Sequence, residues 1–180
     1  MEIFAIFPPY IYSIKYDNTD NNEFDRLFDE WNDVSSVLDF LQKHKEMLKA
    51  SVWKKISAPE LAARQVLDEA EALELLFNEL NNHTANGMEP DFDSHFHHLD
   101  GKYKFEIEYE PVKSYGDIRP SLLRIYAIKM DKNTYLITGG GIKLGATIQE
   151  SPDLQDHVIQ NIDMVRAWLK DNGIMDATDM

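Results

Sequence analysis

The chain has 180 residues, no cysteine and a formal net charge of −14. The missing cysteines exclude disulfides, thiol nucleophiles and cysteine-ligated zinc or iron–sulfur centres, and they make a reducing cytoplasm the expected compartment. The acidic balance argues against a protein that coats nucleic acid or DNA over its whole surface, because phosphates are neutralised by clustered lysine and arginine.

The charge is unevenly spread. Residues 1–100 carry 20 acidic and 8 basic side chains, residues 101–150 carry 6 and 8, and residues 151–180 carry 6 and 2. The central segment alone is not acidic, so an anionic partner is expected to dock there.

Met1 to Pro9 has no basic leader and its apolar run is cut by Pro8-Pro9, which reads as neither a signal peptide nor a membrane span. No other segment approaches the roughly 18 uninterrupted apolar residues of a bilayer span. Ile3–Phe7 and Tyr10–Tyr16 flank the two prolines and read as a strand pair, with proline confining the junction to a turn or an edge. After the polar loop Asn18–Asn22, Phe24, Leu27, Phe28 and Trp31 recur at helical spacing and predict a helix over Glu23–Asn32. A second helix follows, with Val34, Val37, Leu38, Leu41 and Leu48 as its apolar set. Ser57-Ala58-Pro59-Glu60 reads as a helix start with a serine cap, proline in the first turn and a capping-box glutamate. The long central helix is predicted over 58–81, with Val66, Leu67, Ala70, Leu73, Leu76, Phe77 and Leu80 buried, and Asn81–Gly87 ends it. Its carboxylates Asp68, Glu69, Glu71, Glu74 and Glu79 read mostly as a solvated face.

Asp91-Phe92-Asp93-Ser94-His95-Phe96-His97-His98 gathers metal-ligand types in a loop, but no helical His-Glu-x-x-His accompanies it and no metal is expected. Lys102–Tyr109 alternates charged with apolar residues and predicts a half-buried strand. Leu122–Lys129, the turn Met130–Asn133 and Thr134–Thr138 predict a hairpin. Gly139-Gly140-Gly141 and Lys143 follow directly. The triplet has neither P-loop nor dinucleotide-fold spacing, and it is open between a β-bulge or strand crossing and a phosphate-facing role. Asp153–Asp171 closes the pattern as a helix.

The elements predict one α+β domain over residues 1–180, with an antiparallel sheet and helices packed on it. Within it, residues 1–87 form a mostly helical acidic part, and residues 101–172 form the hairpin sheet and closing helix. The chemistry-bearing candidates are Arg124, Tyr126 and Lys143, with Lys129 on the opposite strand face. Arginine, lysine and tyrosine together can hold a phosphodiester and stabilise charge on it without metal or other cofactor.

In the order Leu123-Arg124-Ile125-Tyr126, Asp131-Lys132-Asn133, Tyr135-Leu136-Ile137, Gly139–Gly141 with Lys143, Ser151-Pro152 and a final helix, the last third of the chain resembles the RelE/ParE superfamily of toxins, in particular its HigB-like, phage-derived branch. It also looks like proteins of Bacteroidetes bacteria and their phages. The resemblance implies a toxin–antitoxin protein that acts as a ribosome-dependent mRNA interferase or is a non-catalytic relative of one. In it Arg124 and Lys143 contact the scissile phosphate, with Tyr126 beside them and Lys129 and the glycines on the RNA. His157 is the general-base candidate of the closing segment. The acidic first ninety residues would then partly cover the sheet, as an antitoxin does. The alternative class is a non-enzymatic interaction domain in which the hairpin is an edge for β-augmentation.

Overall fold

The computed structural model describes residues 1–49, 51–99, 109–116 and 118–180. Among them are strands β1 (Glu2–Phe7) and β2 (Ile11–Lys15), helices α1 (Glu23–Asn32), α2 (Val34–Lys43), α3 (Lys45–Leu48) and α4 (Pro59–Ala85), strands β3 (Phe96–His98), β4 (Glu110–Ser114), β5 (Leu123–Asp131) and β6 (Thr134–Ile142), and helix α5 (Val158–Asp171). The fold is α+β. The strand expected over Lys102–Tyr109 lies, Tyr109 apart, outside the described residues.

The six strands form one sheet in the order β1-β2-β6-β5-β4-β3. Four ladders are antiparallel, and β2 runs parallel to β6, pairing Ile11, Tyr12 and Ser13 with Tyr135, Leu136 and Ile137. That ladder changes the meaning of the acidic N-terminal part. The first ninety residues contribute two strands to the sheet and are not a detachable cover.

Both faces of the sheet are buried, which is why β6 reads as a continuous apolar and small-residue run rather than an alternating one. Leu123, Ile125 and Ala127 point from β5 into the main core with α1, α2 and α4. Tyr126, Ile128 and Met130 point the other way, toward α5 and its Val158, Ile162, Val165 and Leu169. The acidic helices α1 to α4 therefore cover the face opposite the one that carries Arg124 and Tyr126.

Helix α1 has the expected bounds and buries Phe24, Leu27, Phe28 and Trp31, and the Asn22 side chain accepts from the Asp25 N–H at 3.1 Å to cap it. The second predicted helix is divided at His44 into α2 and α3, and Val34, at its first turn, is 52% exposed. Helix α4 departs from its predicted start: Ala58 is the N-cap without a side-chain bond, so Ser57 does not cap and no capping box forms, although Pro59 holds the first turn. It runs one turn past residue 81 to Ala85, and Gly87 closes it at a φ of 73°. Helix α5 begins at Val158 rather than Asp153, because the preceding residues are bound elsewhere. Ser151 Oγ donates to Thr147 O at 2.9 Å and accepts from Gly145 N at 3.0 Å, and the Asp153 carboxyl accepts from Ile142 N at 2.6 Å.

The hairpin turn is shorter than predicted. Asp131 pairs with Thr134, leaving Lys132-Asn133 as a two-residue loop with Asn133 at a φ of 58°, a conformation asparagine tolerates. The glycine triplet lies inside β6, and the bulge falls one residue earlier, at Thr138. A Cβ on Gly140 would lie 2.4 Å from Arg124 O and 2.8 Å from Leu27 Cδ1, and one on Gly141 would lie 2.5 Å from Asp153 Oδ2. These glycines let α1 and the segment before α5 approach the sheet. The space a phosphate cradle would need at Gly140 and Gly141 is filled by Leu27, Asp153 and Leu154.

Candidate functional site: a cationic cleft at the β4–β5 corner

The corner where β4 leaves the sheet and β5 enters it is fixed by a carboxyl group from α4. Glu69, 1% exposed, accepts from Leu122 N at 2.9 Å with each oxygen, from Leu123 N at 2.9 Å, and from Ser121 Oγ at 2.8 Å. Gln65 Nε2 donates to the same group at 2.7 Å and to Pro120 O at 2.6 Å. Glu69 is thus the exception to the solvated carboxylate face. It gives the first amide groups of β5 the acceptors that no strand supplies there.

Arg124 follows immediately. Its Nη1 donates to Ser121 O at 3.0 Å and Leu123 O at 2.6 Å, and its guanidinium lies 4.6 Å from the centre of the Tyr115 ring. A second guanidinium, Arg119, lies 4.4 Å from the same ring and donates to Gly116 O and Ile118 O. Two guanidiniums on one aromatic ring form a compact positive platform. Lys143 joins it from the far end of β6, where its N–H bonds Leu122 O at 2.6 Å. Its Nζ donates at 2.7 Å to both Gly145 O and Ala146 O.

Neither guanidinium nor the Lys143 amine has a carboxylate within ion-pair reach among the described residues. Burial disfavours the charge of Arg124, against the pull of Tyr126, Glu69 and Tyr115. Burial, with Arg124 and Lys113 nearby, also holds Lys143 below the ordinary lysine range, and Glu150 opposes the shift. Burial pushes the Tyr126 hydroxyl up to about 12, so it is a proton-bearing donor at neutral pH and not a base.

Two cavities meet at this cluster and share Tyr115, Arg124, Lys143 and Ala146. The smaller, about 400 Å³, is lined on the α5 side of the sheet by Tyr126, Lys113 and Thr147. The larger, about 840 Å³, has an apolar wall of Met47, Val52, Trp53 and Leu144, fixed by the Trp53 indole N–H donating to Leu144 O at 2.8 Å. These volumes are in the range of small-molecule sites. No histidine lines either cavity, and Glu150, on the rim of the larger, accepts from Thr147 N at 3.0 Å.

Arg124, Tyr126 and Lys143 line one cavity, and the other candidates are placed elsewhere. Lys129 projects to the opposite face of β5 and pairs with Asp93 at 3.0 Å. His157 lies with Tyr16, Glu23 and Asn161 in a separate cavity, beside Gly139. The Asp91–His98 cluster is taken up structurally. Asp93 accepts from Asn133 N at 2.9 Å, Tyr135 Oη and Lys129; Asp91 caps Ser94; His98 pairs with Glu110; and the His97 ring lies 5.2 Å from that of Tyr115. Among the described residues no three His, Asp or Glu side chains converge to hold a metal.

Tyr115, Arg119, Trp53 and Glu69 belong to the site and were not singled out from the sequence. Tyr115 and Arg119 lie in the connection between β4 and β5, and Trp53 reaches the cleft from 91 residues away along the chain. The expected edge for β-augmentation does not exist at the hairpin, because β5 and β6 are each paired on both sides. In comparisons with known proteins no family model, no curated protein and no solved structure matches this chain. No helix among the described residues is long and apolar enough to cross a membrane.

Proposed function

We propose that the chain binds RNA through the Arg124–Lys143 cleft, as a cytoplasmic bacterial relative of the toxins of toxin–antitoxin modules that holds its target without cleaving it. The observation that carries this reading is the gathering of Arg119, Arg124 and Lys143 at two adjoining cavities without a carboxylate partner among the described residues, in a chain of net charge −14. Arg119 is exposed, but Arg124 and Lys143 are half-buried, and half-buried cations are costly without a counter-ion, which a phosphodiester supplies with acceptors suited to guanidinium. Tyr115 lies beside these cations and the largely buried Trp53 lines the wall of the larger cavity, and aromatic surface next to cations is the pairing that single-stranded nucleic acid uses. Binding is favoured over cleavage because no histidine lines the cleft and Tyr126 keeps its proton. The ribosome would present the RNA, and an antitoxin-like protein would compete for the same cations.

The test is fluorescence polarisation of a labelled oligouridylate of about twelve nucleotides, titrated with the full chain at several salt concentrations. Arg119→Ala and Arg124→Ala are expected to weaken binding about tenfold each and to lower the salt slope by roughly 0.7 for each phosphate that is no longer neutralised. Induced expression of wild type and of Arg124→Ala/Lys143→Ala in growing cells, with folding checked by circular dichroism, reads the biological consequence. Binding that is absent at low salt, or unchanged by these substitutions in a folded protein, overturns the reading.

A further inference from the structure

We propose that Lys143 is a nucleophilic amine that condenses with an aldehyde or ketone whose molecule also carries a phosphate or carboxylate group, a covalent activity beyond RNA binding. The Lys143 Nζ is held at 2.7 Å from each of two backbone carbonyls, Gly145 O and Ala146 O, and it lies on the wall shared by the 400 Å³ and 840 Å³ cavities. A neutral amine has two N–H bonds and one lone pair. The two carbonyls take both N–H bonds, and the remaining position of the nitrogen is left for the contents of the cavities.

Other lysines are held differently. Lys49, Lys129 and Lys132 are paired with Glu46, Asp93 and Glu89 at 2.7, 3.0 and 2.7 Å, and for Lys132 the Glu89 carboxylate holds the amine above the ordinary lysine range. Lys143 instead has burial and the cations Arg124 and Lys113 acting on it, both of which favour loss of its proton and outweigh Glu150. A desolvated lysine beside another cation is a standard way of making an amine nucleophilic at neutral pH.

The neighbours supply what the condensation needs. Arg124 and Arg119, stacked on Tyr115, bind the anionic group of the ligand and so place its carbonyl within a short reach of Nζ. The amine lone pair attacks the carbonyl carbon, and the C=O π pair moves to oxygen, which takes up a proton to give a carbinolamine. In that step one of the two nitrogen protons ends on the oxygen; the nitrogen lone pair then expels the hydroxyl, which leaves as water with the second nitrogen proton, leaving a C=N bond to Lys143. The step joins amine and carbonyl with loss of one water and involves no oxidation or reduction. Tyr126, a proton-bearing hydroxyl on the smaller cavity, is placed to donate to the departing oxygen.

The experiment uses the full chain and pyridoxal 5′-phosphate, an aldehyde with a phosphate, followed by borohydride reduction and peptide mapping. The expected result is one adduct per chain at Lys143, formed on the order of tenfold faster than at Lys132, absent in Lys143→Arg, and slowed about tenfold in Arg124→Ala or when pyridoxal without its phosphate is used. Labelling spread evenly over the lysines, or labelling at Lys143 that ignores the phosphate, overturns the proposal. RNA binding without selective labelling sinks the amine chemistry and leaves the RNA reading in place. Selective labelling of a chain that binds no RNA does the reverse.

Discussion

Removing the Glu69 carboxyl group should loosen the corner on which the cleft is built. The group receives the buried N–H groups of Leu122 and Leu123 at 2.9 Å, the Ser121 hydroxyl at 2.8 Å and the Gln65 amide at 2.7 Å. In Glu69→Ala the two amides lose their acceptor in a region where Leu122 and Leu123 are fully buried. Each orphaned buried donor costs about 1–3 kcal/mol, and the exposed Gln65 amide turns to water at little cost. Water entering the space left behind relieves part of the loss, so the net is expected near 3–5 kcal/mol, a large share of the 5–15 kcal/mol typical of a domain. Glu69→Gln keeps one acceptor oxygen of the same shape and should lose about half as much. Urea unfolding followed by far-ultraviolet circular dichroism measures both, with an unchanged m-value as the sign that stability alone has moved. A loss below about 1 kcal/mol for Glu69→Ala, or equal losses for the two variants, would refute the account of Glu69 as the clamp of β5.

Gly140→Ala should cost about 1–3 kcal/mol, because its Cβ would meet the Arg124 carbonyl and Leu27, and a thermal melt that matches wild type would contradict that close approach. Two carboxyl groups predict opposite pH behaviour. Burial tends to raise Asp93, but hydrogen bonds from Tyr135, Lys129 and the Asn133 N–H outweigh it and hold its pKa down; its contribution is present above the unfolded value of about 3.9 and lost as pH falls through the folded one. Asp153 is raised by burial against the Ile142 N–H, so its contribution is present below about 3.9 and lost as pH rises through the folded value. Asp93→Asn should therefore lose most stability at neutral pH and Asp153→Asn should lose least there, as denaturant midpoints at about pH 3 and 7 will read. Tyr126→Phe should weaken RNA binding by a few fold, one hydrogen bond's worth of roughly 0.5–1.5 kcal/mol, without altering its pH profile between about 6 and 9; a new pH dependence would mean the hydroxyl ionises there.

Local pattern determined much of this molecule. The period of Phe24, Leu27, Phe28 and Trp31 is enough to place α1 to the residue, since one face of a helix must be apolar whatever it packs against. The Leu122–Thr138 hairpin and the α+β class follow from equally local signals, and so does the common strand face of Arg124 and Tyr126. What tertiary structure decided is where distant segments meet. The parallel pairing of β2 with β6 leaves no periodicity in either strand, and it turned the hairpin from an edge into the centre of the sheet. Glu69 sits among carboxylates of identical local pattern, and it is buried only because the start of β5 arrives beside α4 needing acceptors. Trp53 became part of one cleft with Arg124 and Lys143 across 91 residues of chain, and Tyr115 and Arg119, though near Arg124 in sequence, joined it through ring contacts that spacing does not show, all set by packing and hydrogen bonding across the fold.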